Sequence, residues 1–141
     1  MMTDSITSSR EYDAPPERLW AIVGDFSAPQ KWLPGVADCR IERDGSSEVR
    51  HVTTVDGAQI SEKLVERDDA GRRVHYAMDV AEGPIAAMRV SASVEPSGSG
   101  SRVTLHADAD ARAGEDAGPA LNYVKSNFYE VALDNLATLV A

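Results

Sequence analysis

The chain is poor in cysteine, aromatic residues, long apolar runs and net positive charge. Its one cysteine, Cys39, excludes an internal disulfide, and no CxxC pair offers a zinc or dithiol site. No stretch approaches the ~18 apolar residues of a membrane span, so no membrane insertion is expected. From Met1 to Asp13 no basic stretch leads into an apolar run; no secretory signal is expected, and the cytoplasm is the default location. Fourteen basic against 23 acidic residues give a formal charge of -9. That field repels nucleic acid and anionic membrane surfaces, and neither is an expected partner.

Metal and phosphate motifs are also missing. His51, His75 and His106 show no HxH or HExxH spacing, so no metal is expected. Asp108-Ala109-Asp110 fails as a calcium loop, because Arg112, Ala113 and Pro119 stand where a ligand, the turn glycine and the closing glutamate belong. The stretch from Pro96 to Ser101 has no following Lys-Ser/Thr pair, so it is a turn and not a phosphate loop. No cofactor is expected.

Apolar residues make up 43% of the 141, a globular composition, and nothing divides the chain; residues 1–141 read as one domain. Aromatics are only 6%, so Val, Leu, Ala and Met must fill most of any interior. Residues 5–12 read as a strand. Pro16 then suits the first turn of a helix that Gly24-Asp25 ends, and a second short helix is expected over residues 29–32. From Val36 to Ala111 the apolar period is two. The inward sets are Ala37, Cys39, Ile41; Arg50, Val52, Thr54; Ile60, Glu62, Leu64; Val74, Tyr76, Met78, Val80; Met88, Val90, Ala92, Val94; and Val103, Leu105, Ala107, Ala109. Alternation with one apolar face predicts an antiparallel sheet with one wet side. Leu121, Val124, Phe128, Ala132, Leu136 and Leu139 then recur at three and four residues, which predicts one long amphipathic helix over residues 118–140. The fold class is α+β, in the order strand, two short helices, six strands, long helix.

Two inward positions carry charge. With a short loop at Asp56-Gly57, Arg50 and Glu62 become diagonal neighbours on the apolar face. Three roles fit such a pair: an internal ion pair that sets the sheet, a polar anchor for a ligand, or a catalytic acid or base at Glu62. Tyr76, also inward, is either core or a hydrogen-bond donor to a ligand. Met78 and Met88 suit an adaptable apolar lining, and Asn135 and Tyr129 on the helix are candidate polar additions to it. The three histidines fall on the outer side, and a one-residue slip of the last strand would turn His106 inward. The small inward residues Ala37, Thr54, Ala92, Ala107 and Ala109 predict a volume that side chains leave unfilled.

Ala14-Pro15, Leu19-Trp20, Asp25-Phe26, Trp32 with Pro34, Val49-Arg50, Gly57, Glu62-Lys63-Leu64, Asp68-Asp69, Tyr76 and Gly83-Pro84 occur in order along nearly the whole chain. In this the chain resembles the START-like helix-grip (SRPBCC) superfamily, of the polyketide cyclase/dehydrase and lipid-transport type. The resemblance implies a curved seven-stranded antiparallel sheet wrapped around the C-terminal helix, with a cavity between them. Relatives hold sterols, lipids, polyketides or hormone-like acids there, and some catalyse ring closure or dehydration. Hormone-binding relatives carry a lysine where Leu33 stands and a gate loop where this chain has Val55-Asp56-Gly57-Ala58, which argues against a receptor role. Many bacterial relatives place a tryptophan on the last strand, near Leu105 or His106 here, which implies a roomier cavity end.

The expected function is binding of a small apolar molecule (lipid, polyketide or isoprenoid-like) as a carrier or sequestering protein. The expected lining is Arg50, Val52, Glu62, Tyr76, Met78, Met88, Val90, Val124, Phe128 and Ala132. The alternative is a polyketide cyclase/dehydrase-type enzyme in the same cavity, with Glu62 and Tyr76 as catalytic candidates. A third reading is an interaction domain that uses this architecture as a scaffold, with a homodimer left open.

Overall fold

The computed structural model describes residues 3–141; Met1 and Met2 lie outside them. Strand β1 (Thr3–Tyr12) leads through Pro15 into α1 (Pro16–Val23), and a 3-10 turn (Pro29–Lys31) follows. Pro16 occupies the first helical turn, where its missing N–H is not needed, and Arg18 N–H bonds the Pro15 carbonyl at 3.0 Å. Six strands follow: β2 (Val36–Asp44), β3 (Ser47–Thr54), β4 (Gln59–Asp68), β5 (Arg73–Asp79), β6 (Ile85–Ser97) and β7 (Gly100–Ala111). All neighbours pair antiparallel in one seven-stranded sheet, in the order β1-β7-β6-β5-β4-β3-β2. The first strand thus closes onto the last. Gly100 makes that closure possible, because a Cβ there would overlap the Tyr12 carbonyl oxygen.

The C-terminal helix is α-helical over Gly118–Val124 (α2), widens to a π turn over Lys125–Tyr129, and is α-helical again over Glu130–Leu139 (α3). One uninterrupted α-helix was the expectation from periodicity, and the π turn corrects it. The wide turn adds one residue to the helix circumference, so everything after it rotates. Tyr129, Leu133 and Val140 are buried along with Ala132 and Leu136, whereas Leu139, expected inward, is 42% exposed. Ala37, also expected inward, is exposed, because β2 shifts register against β3 between Val36 and Asp38.

The interior is uneven. Toward β1 and β7 it is solid: Leu19, Val103, Ala107, Ala109, Ala132, Leu133 and Leu136 have no accessible surface. Tyr12 reaches across to donate its hydroxyl to the Leu133 carbonyl at 2.6 Å. The small residues at this end draw α1 and the C-terminal helix close to the sheet instead of leaving space. The unfilled volume lies under β3, β4 and β5. No helix among the described residues is long and apolar enough to cross a membrane.

Candidate functional site

The hollow between sheet and helix has a volume of about 150 Å³. Strands β3 and β4 contribute Arg50, Val52, Thr54, Ile60 and Glu62 to its wall. Strands β5, β6 and β7 contribute Tyr76, Met78, Met88, Val90 and Leu105. Val124, Phe128 and Tyr129 come from the helix, and Pro29, Trp32, Leu33 and Val36 from the segment before and at the start of β2. Of the residues expected to line it, only Ala132 is elsewhere: it packs in the solid half of the core. Phe128 rests its ring on Gly35, where an added Cβ would approach a ring carbon to 2.6 Å. Asn135 donates to the Trp32 carbonyl at 3.3 Å and so fastens the same segment to α3.

Arg50 and Glu62 stand directly opposite each other on β3 and β4, not on a diagonal. The loop over residues 55–58 sets this register: Ala58 N–H bonds Thr54 Oγ1 at 3.0 Å, and Gly57 takes a φ of +92°. Arg50 Nε donates to Glu62 Oε1 at 2.9 Å, and the two residues are 5% and 7% exposed. Arg50 Nη1 donates to the Phe26 carbonyl at 3.2 Å. The guanidinium carbon lies 4.4 Å from the Phe26 ring centre and 4.5 Å from that of Tyr76. Burial works to lower the Arg50 pKa, but Tyr76 and Glu62 outweigh it and leave the value raised. The pair is therefore an internal one, hydrogen-bonded and packed against aromatic faces. Phe26, which holds it from the α1 side, is a site residue the sequence marks only through Asp25-Phe26.

Two tyrosines complete the polar wall. Burial pushes the Tyr76 phenol up to about 12, with Arg50 opposing the shift. Burial likewise raises Tyr129 well above 10, and Tyr129 lies within electrostatic reach of Tyr76, Glu62 and Arg50. Both phenols hold their protons at neutral pH and are available as hydrogen-bond donors. Cys39, raised by burial, stays a thiol and offers no nucleophile.

Outside the hollow the molecule carries a wider, open cleft of about 530 Å³, bordered by Trp20, Asp25, Arg43, Glu48, Arg67 and Asp69. Its charges are already paired: Arg67 with Asp69 at 2.8 Å and Arg43 with Glu48 at 3.6 Å. Trp20 donates to Asp69 at 3.1 Å under the Arg67 guanidinium, which locks α1 to the β4–β5 hairpin. The three histidines lie on the outer face of the sheet. Thr7 Oγ1 is 2.7 Å from His106 Nδ1, and His106 Nε2 is 3.1 Å from Asp108, on the outer face, where a depression of about 290 Å³ is bordered by Val65, His75, Arg89, His106 and Asp108. No group of three or more His, Cys, Asp or Glu among the described residues could hold a metal ion.

This architecture recurs in solved structures. An uncharacterised protein from Bacillus thuringiensis superposes with a TM-score of 0.84 at 26% identity, over 97% of this chain and 98% of that one. A protein from Thermobifida fusca gives 0.75 at 29% identity over 94% and 90%. Ara h 8.0201 gives 0.78 at 18% identity over 99% and 98%, a likeness of fold alone. No curated protein matches the chain. The profile of one sequence family matches residues 3–141, the same span over which sheet and helix enclose the hollow. On that match the chain belongs to the polyketide cyclase / dehydrase and lipid transport family.

Proposed function

We propose that the protein binds one small apolar molecule in the hollow, as a carrier or sequestering protein. The observation that carries this reading is the coexistence of a mostly apolar wall with the polar groups Arg50, Glu62, Tyr76 and Tyr129 around space no side chain fills. Close-packed cores avoid such voids, and a hollow of about 150 Å³ is large enough for a benzene-sized guest. Size therefore favours a compact guest of about one ring. A lipid or a long polyketide would require Phe128 to swing off Gly35 and widen the space. The tyrosines favour binding over proton transfer. A phenol near 12 is far from the neutral range in which an acid–base catalyst works best.

The enzyme reading has one observation in its favour: Glu62 Oε2 has no hydrogen-bond partner among the described residues and borders the hollow. A carboxylate oxygen so placed could take a proton from a bound polyketone. Native mass spectrometry of protein purified from a lipid-rich extract tests binding, and turnover of an added polyketone tests chemistry. A co-purifying small molecule with no turnover is the expected result. Turnover lost in a folded Glu62→Gln variant would establish the enzyme instead.

A further inference from the structure

Tyr129 is the odd member of the buried polar set. It is 8% exposed and lines the hollow, yet its hydroxyl has no hydrogen-bond partner among the described residues. Tyr12 is equally buried, at 7%, and donates to Leu133. Among the described residues the buried side-chain atoms without a partner are His51 Nε2 and Arg72 Nε, so the Tyr129 hydroxyl keeps accessible surface and is free to donate to an acceptor that enters the hollow. The π turn places it there. Val124 and Tyr129 are five residues apart, the repeat of a π turn, so both face the sheet beside Phe128. In an uninterrupted α-helix five residues turn through about 500°, so Tyr129 would lie about 140° around from Val124, off the inward stripe.

The charge balance limits what that acceptor is. Arg50 is already neutralised by Glu62 at 2.9 Å, so the enclosed pair has no net charge. A carboxylate guest would add an uncompensated anion beside Glu62, which burial penalises heavily. A ketone or aldehyde oxygen would add none and would accept from a phenol.

We infer that Tyr129, presented by the π turn, is the donor that selects the guest, and that the guest is a neutral molecule of about one ring bearing a carbonyl oxygen. The inference rests on the binding reading above.

Three probes of similar size separate the two: acetophenone, ethylbenzene and benzoate, titrated calorimetrically into wild type, Tyr129→Phe and Tyr12→Phe. Acetophenone affinity should fall roughly three- to tenfold in Tyr129→Phe, the worth of one neutral hydrogen bond, while ethylbenzene affinity stays or improves. Tyr12→Phe should lower stability and leave the probe preference unchanged. Benzoate should bind at least tenfold more weakly than acetophenone. Equal losses for acetophenone and ethylbenzene, or benzoate binding best, would overturn the inference while leaving a binding cavity intact. Binding of no probe would overturn the binding reading itself and this inference with it. Should Tyr129→Phe fail to fold, the carbonyl stretch of acetophenone bound to wild type decides: a shift to lower frequency than in hexane supports the assignment, and an unshifted band refutes it.

Discussion

Removing Glu62 while keeping Arg50 should be among the most damaging single changes in the interior. Truncating one partner of a buried ion pair typically costs about 3–5 kcal/mol, because the other charge is left enclosed and uncompensated. Two features place Glu62→Leu at the lower end. Arg50 keeps its bond to the Phe26 carbonyl, and it keeps the faces of Phe26 and Tyr76, each at about 4.5 Å. A desolvated cation–π contact contributes up to about 2 kcal/mol. We therefore expect a loss of about 3 kcal/mol for Glu62→Leu and about 4 kcal/mol for Arg50→Met, which strands the carboxylate with none of that compensation. The double variant should lie within about 2 kcal/mol of wild type, since well-packed apolar replacements of buried pairs are often neutral. The singles thus overstate the pair, and the coupling between the sites should reach several kcal/mol. Urea denaturation with a constant m-value measures all four corners of the cycle. Losses below about 1 kcal/mol in the singles, or a double variant that loses the sum of both, would refute the enclosed-pair argument.

Raised phenols link stability to alkaline pH. Tyr12 and Tyr76 are pushed up to about 12 and Tyr129 is raised as well, so the folded state holds protons that the unfolded state releases near 10. Their stabilising contribution is complete below pH 10 and is lost as pH rises toward 12; the urea midpoint should fall over that window, and Tyr129→Phe should shrink the fall. Gly100→Ala forces a Cβ onto the Tyr12 carbonyl and should cost about 3 kcal/mol in the same assay, with β1 losing hydrogen-exchange protection first. Leu105→Phe directs new bulk into the hollow; its stability should stay within about 1.5 kcal/mol of wild type while any rise in melting temperature caused by toluene disappears.

Much of this architecture is legible because strands and helices impose different periods. Alternation from Val36 to Ala111 gives the strands, and it places Arg50 and Glu62 on the inner face although both are charged. Their direct opposition is less legible, since register depends on how the loop over residues 55–58 closes, and a small change there converts a diagonal into a facing pair. Ala37 fails for a related reason: a register shift has no side-chain signature, and alternation counted through it puts the residue on the wrong face. The π turn hides Leu133 and the inward turn of Tyr129, which the sequence offers, with Asn135, only as a polar addition from the helix. No residue preference specifies such a turn, and a strict three-and-four count steps from Phe128 to Ala132 and on to Leu139. The five-residue step from Val124 to Tyr129, followed by Leu133, Leu136 and Val140, is the signal that could have found it. The small residues mislead in place though not in kind. Ala107 and Ala109 let helices approach the sheet, whereas the space opens where long side chains (Met78, Met88, Phe128) meet without filling it.

Met78 and Met88 both border the hollow, and their methyl groups report directly on what enters it. Methyl-selective NMR during a toluene titration should show both resonances moving together, with saturation at one equivalent, under the ring current of a guest between sheet and helix. Resonances that stay fixed while toluene perturbs only exposed residues such as Val65 or Tyr123 would contradict an interior binding site.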